Sequence, residues 1–123
     1  MTGFQDLDVW KRSHELTLEI YRHAKSFPSN ERFRFTDQLC RAASSVPTNI
    51  AEGTGRGGNR EFRHFLYVAR GSVEEVKYLL LLGRDLGYLS SDDYGHLRQG
   101  YDAVGRMLNG LINSLNNPKG SHD

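Results

Sequence analysis

The chain has 123 residues, a formal net charge of +1 at pH 7, 37% hydrophobic residues and 25% charged residues. That length predicts one domain, and the composition excludes a disordered chain and one held to nucleic acid by bulk charge alone. A single cysteine excludes an internal disulfide or multi-cysteine metal site. No secretory signal precedes Trp10 and no apolar run reaches the roughly 18 residues of a membrane span, so a soluble cytoplasmic protein is expected.

Every periodic segment is helical, and none alternates with period two. The first helix is expected over about residues 6–27, with Val9, Leu16, Ile20, Ala24 and Phe27 as its core stripe. Leu7, Trp10, Leu18 and Tyr21 form a second stripe on it. Pro28 ends this helix, and Ser29 or Asn30 is expected to cap a second helix over about 30–52, closed by Gly53. The third helix, about 59–86 and capped by Asn59, repeats Phe62, Leu66, Ala69, Val73, Val76, Leu80 and Gly83 in heptad steps. Gly87 closes it, and Ser90 caps a fourth helix over about 90–116 with Asp92 and Asp93 in its first turn. Its seam is Tyr94, Leu97, Tyr101, Val104, Leu108, Leu111 and Leu115; Asn116-Asn117-Pro118 stops it, and the last few residues are expected to fray. Short connections between long helices predict an all-α, antiparallel up-down-up-down four-helix bundle spanning 1–123 as one domain.

The second helix holds the most distinctive run, Ser44-Ser45-Val46-Pro47-Thr48-Asn49-Ile50-Ala51-Glu52-Gly53. Its apolar seam is Leu39, Ala43, Val46, Ile50 and Gly53, and beside it run Arg41, Ser45, Asn49 and Glu52 on one face. A proline inside a helix removes one backbone hydrogen bond and costs about 3 kcal/mol unless its neighbours compensate. Ser, Asn and Glu aligned beside it predict a specific polar contact.

This run, followed by Glu61-Phe62, Phe65-Leu66, Gly71-Ser72-Val73 and Glu75, resembles the four-helix bundle protein family, also described as 23S rRNA-intervening sequence proteins. Trp10, Tyr21, Phe27-Pro28, Glu31, Gln38 and Leu86-Gly87-Tyr88-Leu89 extend the resemblance over nearly the whole chain. Cys40 stands where the family usually has a basic residue, Phe35 where it usually has Leu, and Gly58 where it often has Ser. The resemblance implies a bacterial, ring-like homo-oligomer, most simply a pentamer. One related group works with a reverse transcriptase and nucleic acid. Glu52 and Glu75 could be read as paired carboxylates for acid–base work. The family context points instead to helix–helix hydrogen bonds, with Ser45, Asn49 and Ser72 as partners and Asn49 and Glu52 buried or half-buried.

Other patterns are weaker. Gly53-Thr54-Gly55-Arg56-Gly57-Gly58 matches GxGxxG, but a dinucleotide site needs a strand before it, and here a helix precedes. A flexible loop is the simpler reading, and an anion contact through Arg56 and Arg60 is the intermediate one. Glu61 and His64 match half of a di-iron ligand set with no second Glu-x-x-His, and His64 lies about 200° round from Phe62, so neither metal nor cofactor is expected. Cys40 reads as a small hydrophobe. From Arg32 to Arg84, nine Lys/Arg stand against five Asp/Glu, a hint of an anionic partner or ordinary surface variation.

Arg63, Arg70, Lys77 and Arg84 recur every seven residues, about 10 Å apart on one helix face. Such a row could track a phosphate backbone or form a solvated face paired with acids such as Glu15 and Glu19. The second stripe, Leu7, Trp10, Leu18 and Tyr21, widens the core surface or marks an oligomer interface. The combined expectation is a non-enzymatic oligomer, associated with RNA or DNA through the basic face. The alternative is a protein–protein scaffold without nucleic acid.

Overall fold

The structure is a computed structural model and describes residues 3–116. It contains α1 (Asp8–Ala24), α2 (Asp37–Thr54), α3 (Asn59–Asp85) and α4 (Ser91–Asn116), and no strand among the described residues. A 3-10 turn, Phe4–Asp6, precedes α1; a second, Ser29–Glu31, and a π turn, Arg32–Thr36, lead into α2. The expected stop at Asn117 and Pro118, and the tail after it, lie outside the described residues.

Contacts between side chains fix the helix directions. Along α1 and the turn after it, Thr17 meets Ala43 while Phe27 meets Phe35. Ser72 of α3 meets Ser45, whereas the earlier Phe62 and Phe65 meet Gly53. On the α3–α4 side, Arg63 reaches Leu115 and Lys77 reaches Asp102. Leu16 meets Gly100, and Glu19 meets His96. In every neighbouring pair, rising numbers on one helix match falling numbers on the other, so the bundle is antiparallel and up-down-up-down.

The heptad seam of α3 is buried from Leu66 through Ala69, Val73, Val76 and Leu80 to Gly83, with Phe62 half-buried at its start. On α4, Leu97, Tyr101, Val104 and Leu108 are buried, and then Ile112 replaces the expected Leu111. A straight helix drifts about 20° per heptad, which moves the inward position one residue along.

Pro47 lies inside α2, buried. Its nitrogen carries no proton, so the Ala43 carbonyl loses its normal helical donor. The Thr17 hydroxyl of α1 comes within 3.2 Å of that carbonyl while also lying 2.8 Å from the Ser13 carbonyl of its own helix. The next two carbonyls also receive side-chain donors. Thr48 Oγ1 donates to Ser44 O at 2.7 Å, and Asn49 Nδ2 donates to Ser45 O at 2.8 Å. Thr17 thus offers the orphaned Ala43 carbonyl a donor, and Thr48 and Asn49 add side-chain bonds to the two carbonyls after it.

Element ends depart from expectation in three places. Neither Ser29 nor Asn30 caps α2; the 3-10 and π turns come first, and no side chain caps the helix. The wide turn leaves Phe33 84% exposed and buries Phe35 against Phe27 and Tyr88. Gly53 does not end α2, which runs on to Thr54. A Cβ at Gly53 would lie 2.8 Å from Phe62 Cδ1 and 2.9 Å from Phe65 Cβ, so this glycine allows close helix approach. At α3 the cap position is Gly58 in extended conformation, and Asn59 is already helical. Two expectations hold. Gly87 turns with φ +84° after α3, and Ser90 Oγ accepts the Asp93 amide at 3.0 Å.

Glu31, at 9% exposure, is the most buried carboxylate among the described residues. It accepts the Tyr88 hydroxyl at 2.6 Å and the Arg34 guanidinium at 3.2 Å. The Tyr88 bond foremost, against the opposing effect of burial, holds the Glu31 carboxyl below its ordinary value, and Arg34 lowers it further.

Thr17→Val keeps the side-chain shape but removes the donor to Ala43. It is expected to destabilise the fold by about 1–3 kcal/mol in denaturant unfolding. Pro47→Ala returns an amide to the same carbonyl, so Thr17→Val should cost less in that background. Equal costs in both backgrounds would refute the compensation.

Candidate functional site

The basic row on α3 faces α4. Arg63 Nη1 donates to the Leu115 carbonyl at 3.2 Å, and Arg70 Nη1 donates to Asn109 Oδ1 at 2.9 Å while lying over the Tyr67 ring. Lys77 bridges Glu74 at 3.0 Å and Asp102 at 3.1 Å, its side chain only 18% exposed. Arg84 pairs with Asp85 and lies 4.7 Å from the Tyr94 ring centre. Glu15 and Glu19 are not its partners: Glu15 pairs with Arg12 and Glu19 with His96. Positions one step round from a core seam flank the neighbouring helix, and the row works as a latch between α3 and α4.

Asp102 is the centre of that latch, held by Lys77 and also by Arg98 at 3.2 Å. Arg98 in turn donates through Nη1 to the Tyr94 hydroxyl oxygen at 3.0 Å. Partial desolvation pushes the Asp102 carboxyl up, but the bonds from Lys77 and Arg98 outweigh it and leave the group below its ordinary value. For Lys77, desolvation pulls the ammonium down and the two carboxylates more than restore it, leaving it raised.

The loop cations differ. Arg56 pairs with Glu52 at 3.2 Å and lies 5.0 Å from the Phe65 ring centre; Arg60 is exposed at the start of α3. The polar cluster divides as well. Ser45 and Ser72 oxygens meet across α2 and α3 at 2.8 Å, and half-buried Asn49 reaches Ser45 Oγ at 3.0 Å on its own helix. Glu52 is instead exposed and bound to Arg56, because it lies about two turns beyond the Ser45–Ser72 crossing. Glu75 is exposed too, lining a shallow depression with Gln38, Arg41 and Ser45. The expected five-residue cluster is thus a three-residue one.

The second stripe of α1 opens onto the largest groove described, about 700 Å³ between α1 and α2. Leu7 and Trp10 pack partly against the core, while Leu18 and Tyr21 remain 46% and 49% exposed. Trp10 stacks on His14 at 4.9 Å and tilts against Phe4, and Pro47 and Ala51 form the α2 wall. The proline therefore shapes this groove as well as the hydrogen bonds beneath it.

The chemistry of the remaining groups is limited. The GxGxxG run follows a helix and forms the α2–α3 turn, with Gly57 at φ +77°. Among the described residues no three His, Cys, Asp or Glu side chains are arranged to hold a metal ion, and no helix is long and apolar enough to cross a membrane. Cys40 is half-buried, and burial with nearby Asp37 pushes its thiol up, away from reactive thiolate. Tyr101 is buried in the core, and its hydroxyl has no partner at hydrogen-bond geometry although Thr17 lies close by.

Sequence reasoning missed the buried Ser13 and Thr17 on α1 and the Glu31–Tyr88 pair. Ser13 and Thr17 sit four apart between core positions Val9, Leu16 and Ile20, and that interleaving was the available signal.

The family model of the 23S rRNA-intervening sequence protein matches residues 5–110. No curated protein matches the chain. Among solved structures, a protein of unknown function from the S23 ribosomal protein family of Bacteroides thetaiotaomicron is similar, with a TM-score of 0.79 and 22% identity. The alignment covers 85% of this chain and 95% of that one, and at this identity it shows a shared fold.

A depressed carboxyl contributes stability that is present above its unfolded pKa and lost as pH falls through its folded value. Asp102→Asn is therefore expected to lower the melting temperature at pH 7. The gap should begin to shrink as pH falls below the ordinary carboxylate value of about 4, and close as pH falls further through the depressed value of the folded group. Melting curves across that range test this; a gap that stays constant would refute the latch.

Proposed function

The chain belongs to the 23S rRNA-intervening sequence protein family, and we propose that it acts without catalysis, as a homo-oligomeric scaffold whose copies meet through the α1–α2 groove. The observation that carries this reading is the groove itself, apolar along Phe4, Trp10, Leu18, Tyr21, Pro47 and Ala51. Half-exposed Leu18 and Tyr21 on a surface of this kind suit an interface.

A closed ring needs two different patches on each copy. The outward face of α3 offers the second, with Val68 40%, Tyr78 60% and Leu86 49% exposed. Five is the number of copies the sequence resemblance implies.

Association with RNA or DNA, alone or beside a protein such as a reverse transcriptase, is the second reading. Exposed Arg60 beside Arg56 at the Gly-rich loop favours it, and a ring would multiply a weak contact made by each copy. The α3 row adds less, because its cations are engaged with α4 and with their own helix.

Two measurements test these readings. Light scattering coupled to size exclusion is expected to find a closed oligomer at micromolar concentration. Leu18→Asp with Tyr21→Asp should give a folded monomer with unchanged helical content; a monomeric wild type overturns the proposal. A salt titration against a structured RNA separates scaffold from nucleic-acid binder. The scaffold reading expects no retention even at low salt. Affinity falling with salt at a slope of about −0.7 to −0.9 per phosphate contact would replace it.

A further inference from the structure

A cavity of about 250 Å³ lies where α1 turns into α2, far along the bundle from the Gly-rich loop. Lys25, Ser29, Arg32 and Thr36 line it, with Phe27 and Pro28 as an apolar wall. We propose that it binds a phosphate group, gripped by Lys25 and Arg32 with the Ser29 hydroxyl as a further donor.

The local charge balance carries the inference. Between Lys25 and Asp37 the chain has three cations, Lys25, Arg32 and Arg34, and two acids, Glu31 and Asp37. Each acid is taken elsewhere. Glu31 turns to Tyr88 and Arg34, at 2.6 and 3.2 Å, and Asp37 pairs with Arg41 at 3.3 Å. Lys25 and Arg32 are left with no carboxylate within ion-pair distance among the described residues. Arg32 has only a loose contact with the Phe33 ring, 5.8 Å from its centre. Two uncompensated cations around one small cavity call for an anion.

The carbonyl end of α1 would oppose this if its acceptors were free. Three of the last four have donors. Arg22 O and His23 O accept the Lys25 amide, His23 O also takes the Ser26 amide and hydroxyl, and Ala24 O takes the Phe27 amide. At the cavity wall, the Thr36 hydroxyl is buried without a partner. A helical Thr usually donates to a carbonyl one turn back, and here the π turn supplies none.

The ligand class follows from size and donors. The volume falls below the 300–1,000 Å³ or so of sites that enclose a whole organic ligand, so one anionic group enters and any remainder stays outside. Arginine grips two oxygens of a phosphate at once and lysine adds a point charge. Free phosphate and the phosphodiester of a nucleic acid share this chemistry.

Amide NMR titrations of the full chain, one with inorganic phosphate and one with a short single-stranded RNA, test the site. Saturable shifts at Lys25, Ser29 and Arg32 are expected with at least one of them. Response to phosphate alone assigns a free anion, and response to the RNA assigns a nucleic-acid backbone. Lys25→Gln and Arg32→Gln should each weaken the apparent affinity about tenfold, the loss of one charge-assisted hydrogen bond. Arg34→Gln is the control, because Arg34 serves Glu31, and it should leave affinity unchanged. No saturable shift with either probe, shifts only elsewhere, or equal weakening by Arg34→Gln would each overturn the proposal.

Discussion

A backbone amide missing at Pro47 governs much of this bundle. A carbonyl deep in a helical core must find a donor, because leaving it unpaired costs about 1–3 kcal/mol. The donor for Ala43 comes from another helix, through Thr17. That contact, shared with the Ser13 carbonyl, ties α1 to α2 at the level of the kink. Thr48 and Asn49 serve the neighbouring carbonyls, and Asn49 also steadies Ser45, whose oxygen meets Ser72 of α3. One imino acid thus links three helices through a short chain of hydroxyls and an amide. The same ring forms the wall of the α1–α2 groove, so the defect inside and the apolar surface outside have one cause.

The other side of the bundle is organised by charge. Arg63, Arg70, Lys77 and Arg84 look like a track for an extended polyanion when the chain is read as a string. In three dimensions they close over the α3–α4 boundary, and their stems cover the core beside them. Asp102, Asn109 and the end of α4 take the place of a phosphate backbone. Cations free of such duties are found instead at the helix turns, beside Gly58 and beside Pro28. Any interaction with a polyanion would thus engage the ends of the bundle before its flank.

The overall architecture was legible because heptad spacing and turn residues are local signals. The α3 seam from Leu66 to Gly83 and the turns at Gly87 and Ser90 followed directly from them. Two kinds of feature were not legible. The π turn at Arg32–Thr36 depends on burying Phe35 among Phe27 and Tyr88, residues from distant parts of the chain. The partners of polar side chains were also hidden, since Asn49 was equally able to reach along its own helix or across to the next. Glu52 was expected inside because it shares a face with Asn49, but α2 has by then passed the Ser45–Ser72 crossing, and Arg56 is the nearer partner. The α1–α2 groove was half visible: Leu18 and Tyr21 were surplus to the core, while the contribution of Pro47 to its wall needed the packed pair of helices.

Antiparallel contact in all four pairs brings the chain back to the side from which it set out. The start of α1, the end of α4 and the Gly-rich α2–α3 turn share one pole of the molecule, and the turns around Pro28 and Gly87 share the other. A domain fused before α1 or after α4 would crowd the first pole and leave the second bare. Two copies joined in tandem by a short linker would be held first pole to first pole, with their second poles apart. Polarity of this kind gives the molecule a tethered face and a free face, and the cavity at Lys25 and Arg32 belongs to the free one.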